Sequence, residues 1–199
     1  MTGRGRGRPR EVTADELRTV ALDLFEAQGY DATSLTQIAR EAGVSRTTLF
    51  AHFPTKRDIM WVDHDLRRER LHEVLRAATG EPVSQDLTRA LLTVAHYTAD
   101  EHELLRRRYR IVATSPELRA FSALSTEELA GEIAGWAQAR RPQLDPDLVE
   151  QVTYALIAVS AKIIDTWALA AAVDQDLEPY LAERLAPFTA ALAPLLDTE

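Results

Sequence analysis

Along almost the whole chain apolar residues return every three or four positions, the spacing of one buried face on a helix, and no stretch alternates as a half-buried strand would. Leu17, Val20, Ala21, Leu24 and Phe25 fall at i, i+3, i+4, i+7 and i+8 and predict a first helix. Thr13 with Glu16 forms a capping box at its start, and Gly29 suits a left-handed stop. Ser34 with Gln37 opens a second, short helix burying Leu35, Ile38, Ala39 and Ala42. Gly43 turns the chain, and Ser45 caps a third short helix through Phe50. Thr55 with Asp58 starts a fourth, long helix running to about Thr79. Beyond Gly80 the spacing predicts helices near 84–99, 101–113, 116–140, 146–172 and 177–197. Ser115-Pro116 and Asp145-Pro146 each set a capping side chain before proline at the first helical position, while Pro187 and Pro194 are expected to kink or break the last helix. The expected fold is all-α with about nine helices. A flexible basic arm (1–10) precedes a three-helix helix-turn-helix head (11–57) and a helical-bundle body (58–199) for ligand binding and dimerisation.

Composition narrows the function. Apolar residues make up 46% of the 199, enough for a core, and no run reaches the roughly eighteen consecutive apolar residues of a membrane helix. The basic start lacks the apolar stretch of a secretory signal, so a cytoplasmic location and no membrane partner are expected. The absence of Cys removes disulfides, thiolate metal sites and cysteine nucleophiles. The net charge of −8 divides into +2 over residues 1–57 and −10 over the remainder, so positive charge sits where phosphate would be met. His102-Glu103-Leu104-Leu105 begins like a zinc-protease motif, but Arg106 stands where the second His belongs. Asp63, His64 and Asp65 are consecutive and point different ways on a helix. There is no phosphate-binding glycine loop and no nucleophile elbow. No catalytic residue, metal or cofactor is therefore expected; an enzymatic or purely structural helical protein without DNA binding is the alternative class.

Residues Ser34 to Lys56 read SLTQIAREAGVSRTTLFAHFPTK. Two short helices separated by Ala42-Gly43-Val44 cross steeply. Val44, Leu49 and Phe53 can complete a small core with Leu24 and Phe25, which leaves Ser45, Arg46, Thr47, Thr48 and His52 outside, short polar and basic groups suited to a major groove. This stretch resembles the DNA-binding signature of the tetracycline-repressor (TetR) family, T-x-x-x-I-A-x-x-A-G-V-S-x-G-x-L-Y-x-H-F-x-x-K. The likeness is close over roughly residues 11–60; the body matches in helix order and length only. It implies that the helix beginning after Ser45 enters the groove, with Arg46 and Thr47 at base edges and Ser34, Thr36, Thr48, His52 and Lys56 on phosphates. Ser34 and Lys56 also lie near helix N-termini, which favour anions. Phe50 stands at the DNA-facing position usually held by Tyr and lacks its hydroxyl, and Thr47 replaces the common Gly. The resemblance further implies a homodimeric repressor of double-stranded operator DNA, released by a small-molecule inducer.

Three further features bear on partners. In the arm, Arg6-Gly7-Arg8-Pro9 resembles an AT-hook; Arg6 and Arg8 are candidates for a narrow minor groove, against a disordered solubilising tail. The last two helices carry apolar seams, Leu177, Leu181, Leu185, Phe188, Leu192 and Leu195 on one and Leu148, Val152, Ala155, Leu156, Val159 and Ile163 on the other. These suit a four-helix pairing of two subunits or their own core. Trp61, Tyr97, Tyr109, Phe121, Trp136, Tyr154 and Trp167 are candidates to line a pocket for a hydrophobic inducer, or to fill the core. Arg108, in the run Arg106-Arg107-Arg108 with Arg110, is a candidate for an anionic ligand group, against a solvated face paired with Glu101 and Glu103. The order of the body resembles TetR-type regulators that sense acyl-coenzyme A, implying an acyl-CoA or similar apolar acid.

Overall fold

A computed structural model describes residues 12–62, 64–77 and 82–197, and among them holds ten α-helices and no strand. They are α1 (Ala14–Gln28), α2 (Leu35–Glu41), α3 (Arg46–His52), α4 (Lys56–Met60), α5 (His64–Ala77), α6 (Val83–Val94), α7 (His102–Thr114), α8 (Pro116–Arg140), α9 (Pro146–Leu169) and α10 (Leu177–Asp197). The chain forms two compact units that divide between Trp61 and Val62.

The first unit, the head, is built from local signals. Capping boxes close the starts of α1 (Thr13, Glu16), α2 (Ser34, Gln37) and α4 (Thr55, Asp58), and Ser45 accepts the Thr48 N–H at the start of α3. α1 buries Leu17, Ala21, Leu22 and Phe25, while Val20 and Leu24 remain half-buried, so the core stripe is turned towards Leu22. Ile38 and Ala39 from α2, Leu49 from α3, and Phe53 complete this core with Tyr30, whose ring centroid lies 5.0 Å from that of Phe25. Between α2 and α3, Gly43 takes φ +67°, a left-handed conformation that a side chain would strain, and the Val44 N–H bonds back to the Ala39 carbonyl at 2.9 Å.

The fourth helix departs from expectation. It ends at Met60, and Trp61 leaves the helical region at φ −122°, ψ 39°. Ile59 and Met60 are fully buried in the head, but no described residue between Met60 and Leu71 is buried. Nothing apolar is sequestered there to sustain one continuous helix, and α5 begins anew at His64. The first unit thus takes in α4 beside the three helices of the helix-turn-helix head.

In the second unit, the body, α9 packs against α7, α8 and α10, and α6 against α5, α8 and α10. Its core includes Leu71, Leu87, Leu105, Ile133, Leu156, Trp167 and Leu181. α9 is long and apolar enough to cross a membrane by length and composition, yet Val149, Val152, Leu156 and Ile157 are spent in this core. Ser115 and Asp145 cap α8 and α9 ahead of proline, as their sequence signals require. α6 stops at Val94 instead of near 99, because the Tyr97 carbonyl turns to accept the Leu177 N–H at 2.9 Å and Thr98 with Glu101 boxes a short 3-10 turn before α7. α10 runs through Pro187 and Pro194 without a break. Both prolines are exposed, so the carbonyls that lose a partner lie on the solvent side, where water can satisfy them.

The apolar seams are divided. Leu177, Leu181, Leu185, Val152 and Leu156 are buried within the subunit, and Leu192, Leu148, Val159 and Ile163 are partly buried against the same core. What stays exposed is Tyr154 and Leu169 on α9 and Phe188 and Leu195 on α10. Two carboxylates pin helix ends. Asp86 is fully buried and takes hydrogen bonds from Arg89 and from Arg140 of α8. Asp197, closing α10, accepts from the Ser84 N–H at 3.1 Å and from its hydroxyl. α6 has only Pro82 at its own N-cap, so the distant carboxylate serves as its cap.

Candidate nucleic-acid interface

α3 spends one side chain on the core. Leu49 is 0% exposed, and Ser45, Arg46, Thr47, Thr48, Phe50, Ala51 and His52 all face solvent. Helical spacing sets Thr47 and Ala51 opposite Leu49, Arg46 and Phe50 on one flank, and Thr48 and His52 on the other. The Arg46 guanidinium lies 5.8 Å from the centroid of Phe50, which is 40% exposed, so a cation and an apolar ring form one patch. His52 packs beside Phe53 at 6.3 Å between centroids. Such a surface can donate hydrogen bonds to base edges and phosphates and can touch a thymine methyl; it offers no arrangement for acid–base or nucleophilic chemistry.

Several expected contact residues are already engaged within the head. The Ser45 hydroxyl takes the Thr48 N–H at 3.0 Å and lies 2.8 Å from the Thr48 hydroxyl, which fixes both side chains at the start of α3. Ser34 is tied into its box with Gln37, while Thr36 next to it is exposed. Lys56 turns inward: its ammonium donates to the carbonyls of Tyr30 (2.7 Å) and Thr33 (3.0 Å) and sits 4.1 Å from the Tyr30 ring centroid. It thereby fixes the link between α1 and α2. Arg6 and Arg8 lie outside the described residues. Arg40, exposed in the last turn of α2, is a further cation of the head that the sequence reading passed over.

The body candidates separate into groups. Tyr97, Arg108 and Tyr109 come together: Arg108 donates to the Tyr97 hydroxyl at 3.1 Å, and its guanidinium lies 5.6 Å from the Tyr109 ring centroid. Burial pushes the Tyr109 phenol up, a shift that Arg108 partly offsets. Asp165, near Tyr109 on α9, is also pushed up by desolvation against the pull of Lys162. Arg67 of α5 covers the other part of the group, 3.6 Å from the Tyr97 centroid. Arg67 carries no local sequence signal, because the groups it meets are remote along the chain.

Trp136 and Trp167 are core residues whose indole N–H groups are satisfied by the carbonyls of Leu75 (3.0 Å) and Gln175 (3.1 Å). His102 is buried edge-on to Trp167 and bonded to its carbonyl at 3.0 Å. Phe121 is half-buried on α8, Tyr154 is 52% exposed on α9, and Trp61 closes the head unit. Within the arginine run, Arg106 pairs with Glu103, whereas Glu101 is taken by the box with Thr98. Among the described residues no three His, Asp or Glu side chains gather as a metal site. On the flank of α5, Glu132 of α8 receives Arg68 and His72; burial alone would raise its carboxyl, but these two bonds outweigh it and hold the group below the usual range.

Comparison with known proteins agrees with this division. A model described as bacterial regulatory proteins of the tetR family matches residues 17–60, and one described as the MftR C-terminal domain matches residues 81–193. The chain is 31% identical to MftR of Mycobacterium tuberculosis, a transcriptional regulator named for mycofactocin biosynthesis, over 81% of this chain and 82% of that protein. It is 30% identical to the HTH-type transcriptional regulator TcmR of Streptomyces glaucescens, over 87% and 80% of the two lengths. Among solved structures it resembles Thermus thermophilus FadR, a transcriptional repressor in complex with lauroyl-CoA, at 27% identity and a TM-score of 0.55, covering 88% of this chain and 93% of that one.

Proposed function

Because the chain belongs to the TetR family of bacterial regulatory proteins, we propose that it is a homodimeric repressor that grips operator DNA through α3 and lets go when a small apolar acid enters its body. It is a DNA-binding transcription regulator and not an enzyme. The observation that carries the reading is the outward face of α3, where a helix anchored by a single buried leucine presents Arg46, Thr47, Thr48, Phe50 and His52 together. Arg46 and Thr47 read base edges in the major groove, and Thr36, Thr48 and His52 lie against phosphates. Ser34, Ser45 and Lys56 act from behind by holding α2 and α3 in place. Arg6 and Arg8 follow the adjacent minor groove.

One head touches too few bases for specificity, so two copies address half-sites about 34–36 Å apart. The exposed Tyr154, Leu169, Phe188 and Leu195 of α9 and α10 supply the apolar face on which the copies pair. The ligand is an acyl-CoA or a similar apolar acid, a class supported by the lauroyl-CoA held by the FadR relative. It acts in the cytoplasm, where its DNA is, and shifts the population between a DNA-competent state and another.

The test is fluorescence anisotropy on a duplex that the protein itself selects from a random pool. Arg46→Ala should weaken binding by roughly 5- to 150-fold and relax base preference at one position. Adding lauroyl-CoA should release the parent protein. Arg46→Ala binding as tightly as the parent would sink the α3 assignment; indifference to lauroyl-CoA would sink the ligand class alone.

A further inference from the structure

We propose, resting on the regulator reading, that Arg67, Tyr97 and Arg108 form a catch that fixes the first half of α5 and thereby sets operator affinity. Only three residues separate α4 from α5, so the start of α5 is the part of the body nearest the head in the chain. Among the described side chains of α5 the buried ones, Leu71 and Leu75, both belong to its second half, and Leu66 in the first half is exposed. Polar and stacking contacts hold that first half, with Arg68 paired to Glu132 of α8 on one side and Arg67 on the other. Arg67 donates to the Val94 carbonyl at 2.9 Å, at the end of α6, and its guanidinium lies 3.6 Å from the Tyr97 ring centroid.

Tyr97 is in turn fixed from two other directions. Its carbonyl accepts the Leu177 N–H at 2.9 Å, at the start of α10, and its hydroxyl accepts from Arg108 of α7 at 3.1 Å. Arg108 also reaches the ring of Tyr109, which sits inside the body near the half-buried Asp165 of α9. Tyr97 therefore joins α5 to α7 through its ring and hydroxyl, and to α10 through its carbonyl.

The chemistry suits a reversible joint. A guanidinium lying on a ring is attracted to it without interlocking, so the contact can open while the core stays packed. The bond from Arg108 ends on a neutral phenol oxygen, a weaker acceptor than a carboxylate or phosphate oxygen. An acidic ligand group presented to α7 would redirect Arg108, loosen Tyr97 and release the Arg67 side of α5, leaving its first turns tied to α8 through Arg68 and Glu132 while Leu71 and Leu75 keep the rest docked.

Hydrogen exchange and operator titration on the full-length protein test this. Arg67→Leu and Tyr97→Leu should each speed exchange of the amides of residues 68–70 by about tenfold or more and change operator affinity by about fivefold or more, in line with usual coupling strengths. Tyr97→Phe keeps the ring under Arg67 but deletes the hydroxyl that Arg108 holds, so it should speed exchange in α5 in the same direction as Tyr97→Leu and by less. Ser84→Ala, which loosens the body without touching the catch, should alter neither readout. Unchanged exchange in both leucine variants overturns the proposal, and so does faster exchange with operator affinity within twofold of the parent. A parent protein that binds no DNA would sink the regulator reading and with it the operator half of this proposal, which is visible before any variant is made.

Discussion

The head and the body use their helices for opposite ends. In the head, α3 buries Leu49 alone and turns its other side chains outward. In the body, α9 buries Val149, Val152, Leu156, Ile157, Trp167 and Ala168 and takes the hydroxyls of Thr153 and Ser160 inside with them. A helix that gives nearly everything to solvent has little packing of its own, so it depends on a cap and on the accuracy of its neighbours. A helix that gives most of its faces to a core is held by many partners at once, and its polar ties serve only its ends. Stability in the head is thus concentrated in a few positions directly behind the functional surface, whereas in the body it is spread widely.

The largest effect that separates them comes from one leucine in each. Leu49→Ala and Leu156→Ala both delete fully or nearly fully buried side chains, and each should cost roughly 2–5 kcal/mol. Their consequences differ: α3 has no second anchor, so Leu49→Ala should abolish operator binding, while Leu156→Ala should keep it at temperatures where the body stays folded. Paired urea titrations and DNA binding would show this. Operator affinity surviving Leu49→Ala at parental strength would contradict the idea of a head held at so few points.

A smaller separation is expected from Lys56→Met. The substitution keeps the aliphatic stem but removes charged donors to two carbonyls, a loss of about 1.5–3 kcal/mol to the head. If Lys56 works from behind the surface, the salt dependence of DNA binding stays that of the parent. A slope reduced by about one would instead mean a direct phosphate contact.

Lys56 also marks the limit of what the sequence discloses. Thr13 with Glu16, Ser34 with Gln37, and Thr55 with Asp58 could be read directly, because each box closes over three residues and needs nothing remote. Ser115-Pro116 and Asp145-Pro146 were legible for the same reason. The partners of Lys56 lie 26 and 23 residues away, and the Val94 carbonyl bonded by Arg67 lies 27 away, so no local pattern announces them. The break after Met60 was hidden because periodicity reports which residues are apolar, not which unit buries them. Pro187 and Pro194 do not break α10, because each is exposed and the carbonyl it leaves without a partner can be met by solvent.

The body offers a matching test of its end ties. Asp197→Ala removes the cap that α6 borrows from α10, for an expected loss of about 0.5–2 kcal/mol. Urea denaturation of the body should register this loss, and operator affinity measured well below the transition should not change. A comparable loss of DNA binding would show that the head feels the far ends of the body helices, which weakens the contrast drawn above.

The smallest effects are electrostatic and should have opposite signs within the body. Burial raises the Asp165 carboxyl, so the folded state holds its proton more firmly than the unfolded chain does. Its contribution is fully present below the unfolded value of about 3.9 and is lost as pH rises through the folded one. Asp165→Asn should therefore raise the melting temperature of the body at pH 7 and bring no advantage at pH 3. Glu132 is held low by Arg68 and His72, so its contribution is present above about 4.3 and is lost as pH falls through the folded value. Glu132→Gln should lower the melting temperature at pH 7 and converge on the parent in acid. Melting curves of both variants between pH 3 and 8 decide it: shifts of the same sign at pH 7 would mean that charge in the body is governed by something other than the burial of Asp165 and the pairing of Glu132.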